Sequence, residues 1–177
     1  MKNVSIQDLT KMAVCVAIIC VSAYLSFPIP FTTVPFSCLT LAMLLAAFLL
    51  TPKQTFIVIV VYTLIGAIGL PVFAGGASGI GVLFSPAGGY LWGFIVAFPI
   101  SSMLKGKDNK FSRYFLAGLV SIPITYLFGV AMLAYTMKLG IMQAIVVGAL
   151  PFIPGDIVKA AIASYVAIRL RKVLAYV

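Results

Sequence analysis

Long apolar stretches alternate with short polar or irregular ones along the whole chain. A helix that crosses a membrane needs about 20 apolar residues, with a usable range of about 17–25. Six stretches approach or reach this length, at about residues 12–27, 36–50, 55–73, 90–104, 114–137 and 156–170. A polar lead-in at 3–11 precedes the first stretch, and residues 138–150 form an apolar connection that can be partly helical. The pattern predicts a bundle of six transmembrane helices.

Three of the intervening stretches are unsuited to regular helix. Residues 28–35 hold three prolines, which lack a backbone donor and bias their neighbours to extended conformations. Residues 74–89 are rich in glycine, and Pro154-Gly155 interrupts the approach to the last segment. The glycine-rich stretch can be a flexible connector. It is also uncharged and apolar, which favours a loop folded back over a cavity at membrane depth.

The basic residues predict the orientation of the bundle. Six spans place both termini on one side, and ten basic residues fall on that side: Lys2, Lys11, Lys53, Lys105, Lys107, Lys110, Arg113, Arg169, Arg171 and Lys172. Lys138 is alone on the other side, and Lys159 lies within a span. Because cytoplasmic loops carry the excess of Lys and Arg, both termini are predicted to be cytoplasmic. The three irregular stretches then share the outer side.

Composition narrows the function classes. The chain is 63% hydrophobic and 8% charged, whereas soluble domains are about 25% charged, so residues 1–177 are predicted to form one integral membrane domain. The net charge of +9 is scattered, without the clustered basic face of a nucleic-acid binder. With three acidic residues and no His, a catalytic metal site has too few ligands. The chain also lacks a GxxxxGK[ST] phosphate loop, so any ATP chemistry belongs to a partner.

The candidate chemistry lies in the last segment. Asp156 is the one acidic residue with apolar sequence on both sides, and Lys159 follows three positions later on the same helix face. A charge inside a membrane costs about 2.5–3.5 kcal/mol on insertion scales. The two charges can simply neutralise each other, or Asp156 can cap the helix after Pro154-Gly155. They can also form a substrate site, since transporters commonly place charges beside a broken helix.

Four sequence stretches together carry a family resemblance. They are PFTTVP at 30–35 with TLA at 40–42, GAIGLPVFAGG at 66–76, SPAGGYL at 85–91, and PFIPGD at 151–156 with Lys159. The chain resembles the BioY family, the biotin-binding S components of energy-coupling factor (ECF) transporters. It departs from the family pattern at 85–87, where Gly-Pro-Thr is usual, and at Leu39, where Gln is often found.

The resemblance implies a multi-pass protein of the plasma membrane that captures external biotin. It implies work with a transmembrane coupling subunit and two cytoplasmic ATPases, without a cofactor or a metal in this chain. Asp156 would accept from a ureido N–H, and Lys159 would donate to the ureido oxygen or to the tail carboxylate. The candidate substrate-binding residues are Asp156, Lys159, Tyr90, Gly88, Gly89, Gly75, Gly76, Phe73, Phe84 and Phe36. Each of these aromatic side chains can instead serve lipid or core packing.

A second motif concerns a protein partner. Ala13 and Ala17 form a small-xxx-small pattern on segment one, which lets another helix approach closely. In S components, the resemblance implies, this pair faces the coupling subunit. Another reading of the whole chain is a self-contained carrier or channel in which Asp156 and Lys159 relay a proton. A membrane enzyme would need an acidic or His cluster that the sequence does not supply.

Overall fold

The computed structural model describes residues 5–28, 34–106 and 108–174, and this part of the chain is mainly helical. Its α-helices are α1 (Ile6–Ser22), α2 (Leu39–Leu49), α3 (Pro52–Ala67), α4 (Gly88–Leu104), α5 (Phe111–Met137), α6 (Ile141–Gly148) and α7 (Ile153–Leu174). Two short strands, β1 (Ser26–Phe27) and β2 (Phe36–Ser37), pair antiparallel. Two 3₁₀ helices, Ala74–Gly76 and Ile80–Phe84, occupy the glycine-rich stretch. Each predicted segment contains a helix, which confirms the predominantly helical fold.

Several predicted helix boundaries are wrong, including the end of α1 at Ser22 instead of about residue 27 and the start of α3 at Pro52 instead of about residue 55. Residues 6–11 of the polar lead-in belong to α1, because the Ser5 side chain accepts from the backbone N–H of Asp8 at 3.1 Å and caps the helix there. Helix α3 ends at Ala67, before Gly69 with its φ of +114°. Helix α7 begins at Ile153, so Pro154 lies in the first turn, where its missing donor costs no helical bond.

The backbone interruption before the last segment therefore lies earlier than Pro154-Gly155. It falls at residues 149–152, between α6 and α7, and the two helices are bent by 48° relative to each other. The hydroxyl of Tyr90 on α4 donates a hydrogen bond to the carbonyl oxygen of Gly148, the last residue of α6, at this break.

Helix length bears on how many of these helices cross a membrane. Among the described residues, α5 is long and apolar enough to do so, and the bent pair α6–α7 is a second candidate if it counts as one span. Helix α2 has 11 residues, which reach only about 17 Å at 1.5 Å per residue. The hydrocarbon core is about 30 Å thick. Six spans with both termini cytoplasmic remain a prediction.

Small residues let the central helices pack backbone to backbone. A side chain at Gly93 of α4 would come within 2.9 Å of the carbonyl oxygen of Thr125 on α5. At Gly129 of α5, a Cβ would overlap the ring of Tyr90, 2.3 Å from its nearest atom. Helices α2 and α7 also share a large interface. Helices α2, α4, α5 and α7 thus pack around one space.

Candidate functional site

A cavity of about 260 Å³ lies among the starts of α2, α4 and α7, the middle of α5 and the glycine-rich loop. Its volume is close to the lower end of the range for small-molecule sites, about 300–1,000 Å³. Its lining is mainly apolar and comprises Val34, Pro35, Ser37, Leu39, Thr40, Phe73, Ala74, Ala77, Val82, Ser85, Ala87, Tyr90, Leu91, Phe94, Thr125, Tyr126, Phe152, Asp156 and Lys159. The glycine-rich loop contributes one wall, as expected of a loop folded over a cavity.

The polar part of the cavity is centred on the carboxylate of Asp156. Its Oδ1 accepts from Lys159 Nζ at 3.0 Å and from the Thr40 hydroxyl at 3.2 Å, and its Oδ2 accepts from the Tyr126 hydroxyl at 2.5 Å. The Asp156 and Lys159 side chains are 13% and 10% exposed. Donors on α2, α5 and α7 thus converge on one partly buried charge. The two charges do neutralise each other, and they do so at a cavity wall.

The ammonium of Lys159 is held on a second side by an aromatic ring. Its Nζ lies 3.9 Å from the centroid of the Phe36 ring, within the range of a cation–π interaction. The ring of Phe36 reaches this place because Gly155 has no side chain, since a Cβ there would come within 2.4 Å of the ring. Gly155 therefore serves close packing at the start of α7. An ammonium has three N–H donors, so Lys159 keeps donor capacity beyond its bond to Asp156.

Two predicted aromatic residues line the cavity. The Tyr90 hydroxyl donates to the carbonyl oxygen of Gly148 at 2.6 Å, and its ring meets the Tyr126 ring edge to face at 6.0 Å. Phe73 is 2% exposed and packs on Gly66 of α3, where a Cβ would overlap its ring. Both rings are fixed by the surrounding backbone and present a rigid apolar wall.

Phe84 is not brought to the cavity. Its side chain is 66% exposed, and it ends the second 3₁₀ helix on the outer face of the loop. The sequence identifies Phe84 as apolar but cannot tell the cavity from lipid, because both are apolar environments. Phe36 is not part of the cavity lining, but its ring contacts the ammonium group of Lys159.

The four predicted glycines support the cavity from outside its lining. Gly75 and Gly76 have φ of +75° and +78°, a conformation that glycine adopts without strain. A Cβ at Gly88 would approach the Leu83 carbonyl oxygen to 2.2 Å, and one at Gly89 would approach that of Phe128 to 2.4 Å. Gly75 and Gly76 therefore shape the loop. Gly88 and Gly89 let the first turn of α4 pack closely on that loop and on α5.

Sequence reasoning missed the partners of Asp156 on other helices. Thr40 was quoted only as part of a motif, and Tyr126 and Thr125 were not singled out. The available signal was two adjacent hydroxyl side chains in the middle of an apolar helix, since a buried tyrosine hydroxyl usually requires a partner. Residues 29–33 of the stretch with three prolines lie outside the described part of the chain, whereas Val34 and Pro35 line the cavity.

Comparison with known proteins identifies the family. A sequence model of the BioY family matches residues 1–176. The chain belongs to the BioY family. The biotin transporter BioY of Thermotoga maritima is 37% identical over 166 residues, which cover 94% of this chain and 96% of that protein. The probable biotin transporter BioY of Pyrococcus horikoshii is 38% identical over 165 residues, which cover 93% and 96%.

A solved structure extends the comparison to three dimensions. The fold is similar to the crystal structure of the S-component for biotin from an ECF-type ABC transporter, with a TM-score of 0.87 and 27% identity. The match covers 97% of this chain and 94% of that chain. BioY proteins are membrane transporters and not enzymes. Leu39 and Ala87 line the cavity with apolar side chains, and the charged and hydrogen-bonding side chains Thr40, Tyr126 and Lys159 surround Asp156.

We predict that the two hydroxyl partners of Asp156 matter separately for ligand binding. Tyr126→Phe removes the donor to Oδ2, and Thr40→Val removes the weaker donor to Oδ1 while keeping the side-chain shape. A hydrogen bond to a charged group is worth about 1.5–3 kcal/mol, so we expect Tyr126→Phe to weaken biotin binding about tenfold and Thr40→Val to weaken it less. Titration calorimetry of the purified variants measures both. The prediction would be contradicted if both variants bound biotin with the same dissociation constant as the unsubstituted protein.

Proposed function

We propose that this chain is a high-affinity biotin-binding subunit of an ECF transporter. It captures biotin from outside the cell and delivers it to a transmembrane coupling subunit driven by two cytoplasmic ATPases. The observation that carries the proposal is the partly buried Asp156–Lys159 pair at the wall of an apolar cavity, in a chain of the BioY family. The named relatives and the similar S-component give the substrate.

The hydrogen-bonding groups of biotin match the donor and acceptor positions that remain unused at the site. A carboxylate oxygen has two lone-pair positions, and Oδ1 of Asp156 already accepts from Thr40 and Lys159. Oδ2 accepts from Tyr126 and has a second position for a ureido N–H. The remaining donors of Lys159 can reach the ureido oxygen or the tail carboxylate. These hydrogen bonds fix the orientation of biotin in the cavity. Burial of its apolar ring system against the walls contributes about 25 cal/mol of binding free energy per Å² of apolar surface.

The proposed orientation places the cavity outside and the basic end of the bundle inside. Thr40 and Asp156, which meet at the cavity, lie in the first turns of α2 and α7, and Tyr90 begins α4. Lys53, Lys105 and Arg171 lie at the opposite ends of the same bundle. The concentration of positive charge at that end supports a cytoplasmic location for both termini.

Cysteine-accessibility labelling tests this orientation. We expect cysteines introduced at 108 and 172 to react only when the cytoplasmic side is exposed, and those introduced at 32 and 78 to react from outside. Position 32 lies outside the described residues, so the pair 78 and 108 carries the test. Labelling of both from the same side would overturn the six-span topology.

The proposed docking face for the coupling subunit is on α1. Ala13 and Ala17 are exposed on this helix, whereas Met12, Cys15 and Ile19 turn inward to the bundle. Close approach through small residues is a main source of helix association in lipid. The proposal therefore separates a ligand site at the start of α7 from a partner site on the outer face of α1.

Ligand identification tests the proposed function directly. Protein purified in mild detergent is analysed by native mass spectrometry with biotin, thiamine or riboflavin added at equal concentration. We expect a mass shift with biotin alone. Binding of another vitamin in its place would refute the substrate, and biotin uptake into vesicles that lack the coupling subunit and ATPases would favour the self-contained carrier.

A further inference from the structure

Lys105 occupies an unusual position for a lysine counted among the cytoplasmic charges. It follows the last residue of α4, yet it is 5% exposed and lies inside the bundle. Its Nζ donates to the carbonyl oxygens of Ala47, at 2.6 Å, and Leu50, and to the Ser102 hydroxyl at 3.1 Å. Lysine is almost never this buried without partners, so these contacts specify its place.

The acceptors of Lys105 are at the C-terminal end of α2. A helix leaves its last carbonyl groups without intrahelical partners, and this end carries partial negative charge. Ser102 of α4 adds to the same attachment, because its hydroxyl donates to the Leu50 carbonyl oxygen at 2.8 Å. Burial, and secondly the charge of Arg171, lowers the pKa of Lys105 to about 7. Charged or neutral, the amine keeps at least two N–H donors for these acceptors.

The other end of α2 is part of the cavity. Thr40 lies in the first turn of the helix, and its hydroxyl donates to Asp156 Oδ1 at 3.2 Å. Ten residues separate Thr40 from Leu50, about 15 Å along a helix axis. A short, hydrogen-bonded helix moves along its axis as a unit. At 3.2 Å, the Thr40–Asp156 bond is longer than the usual O–H···O range of about 2.5–3.0 Å, so a small further axial shift of α2 would break it.

We propose that Lys105 is a positioning residue for the cavity: it fixes the axial position of α2 and thereby holds the Thr40 hydroxyl against Asp156. The residue acts from the opposite end of the bundle, without touching the ligand. Its effect on ligand affinity rests on the proposed biotin function, whereas its effect on the position of α2 does not.

A double-mutant cycle on the full-length protein tests the link through Thr40. Lys105→Met, Thr40→Val and the double variant are compared for biotin affinity. We expect each single substitution to weaken binding about fivefold. The double variant should bind about as weakly as the single variant with the larger loss, because both substitutions act on one hydrogen bond. Multiplying effects would show that Lys105 acts independently of Thr40 and would overturn the proposal.

A second measurement needs no ligand. Cys38 is half-buried and directly precedes α2, so its alkylation by a maleimide, followed by peptide mass spectrometry, reports the position of this helix. We expect Lys105→Met to raise the alkylation rate several-fold and Lys105→Gln, which keeps N–H donors, to restore it towards the original rate. Lys53→Met, which removes an exposed lysine from α3, is the matched control and should leave the rate unchanged.

The outcomes separate the two proposals. Original alkylation rates in Lys105→Met and Lys105→Gln would overturn the positioning role, whatever the ligand. A protein that binds no biotin but shows the expected alkylation change would refute the proposed function and retain the role of Lys105. If Lys105→Met does not fold, Lys105→Gln replaces it in the cycle, with a smaller expected loss of affinity.

Discussion

Asp156→Asn is expected to weaken biotin binding by about one to two orders of magnitude. The asparagine keeps the shape of the side chain but removes the charge that three donors share. Hydrogen bonds to a charged group are roughly twice as strong as neutral ones. The substitution also leaves the Lys159 ammonium, which is 10% exposed, without its counter-charge. Titration calorimetry of the purified variant, with its thermal unfolding measured alongside, gives affinity and fold in one series.

A second substitution separates ligand binding from simple charge neutralisation. In Asp156→Asn/Lys159→Met, no charge of the pair is left unpaired, so we expect thermal stability to recover while affinity stays low. Asp108→Asn is the matched control, because it also removes a carboxylate from an ion pair, with Arg113, but at a site where both side chains are more than half exposed. Normal biotin binding by the double variant would mean that the pair serves stability alone.

Replacing Ala13 and Ala17 together by Trp is expected to abolish ATP-driven uptake while leaving the affinity of the isolated subunit nearly unchanged. Both residues are exposed on α1, so the substitutions fit the subunit itself but hold a neighbouring helix away. Van der Waals contact is the main attraction between helices in lipid. Co-purification with the coupling subunit should therefore fall with uptake, by more than tenfold.

The control for this prediction is a bulky residue on another lipid-exposed helix. Leu127 of α5 is 69% exposed, and Leu127→Trp adds a ring without changing α1. We expect uptake and co-purification of this variant to match those of the unsubstituted protein. Uptake that survives both Trp residues on α1, or loss of biotin binding by the isolated variant, would show that α1 does not provide the docking face.

The alternation of apolar and polar stretches predicted where the helices lie, but it begins the third segment at residue 55, three residues after the true start of α3 at Pro52. The turn at 51–54 begins α3 with a full capping box, in which Thr51 accepts from the Gln54 backbone and the Gln54 side chain accepts from the Thr51 N–H. This arrangement is encoded within four residues, but the apolar pattern that defined the segments does not show it. The end of α3 was misplaced, because its last turn and the segment up to Phe73 are equally apolar.

Local spacing predicts only the Asp156–Lys159 pair of the candidate site, whereas Tyr90 and Phe73, which also line the cavity, are indicated by the family resemblance. Asp156 and Lys159 are three positions apart, so one helical turn brings them together. Tyr126 of α5 contacts Asp156 of α7, 30 positions away, and no apolar–polar periodicity shows which face of α5 turns inward. The adjacent hydroxyls of Thr125 and Tyr126 are the one local signal for that face. In a soluble helix, polar residues would mark the outer face. Here the lipid-facing and cavity-facing sides are both apolar, so Phe84 and Phe73 read alike from sequence.

The length of α3 has a consequence for the surrounding bilayer. This helix has 16 residues, about 24 Å at 1.5 Å per residue, and it exposes Phe56, Ile57 and Leu64 on its outer side. A hydrocarbon core of about 30 Å is thicker than this side of the protein. Such hydrophobic mismatch is met by local thinning of the bilayer, at a cost of fractions of a kcal/mol per Å. In the predicted six-span arrangement, the bilayer would be thinned beside α3, whereas the 27-residue α5, about 40 Å long, exceeds the core and would be accommodated by tilt. We therefore expect acyl-chain length to act on this protein mainly through the flank formed by α3.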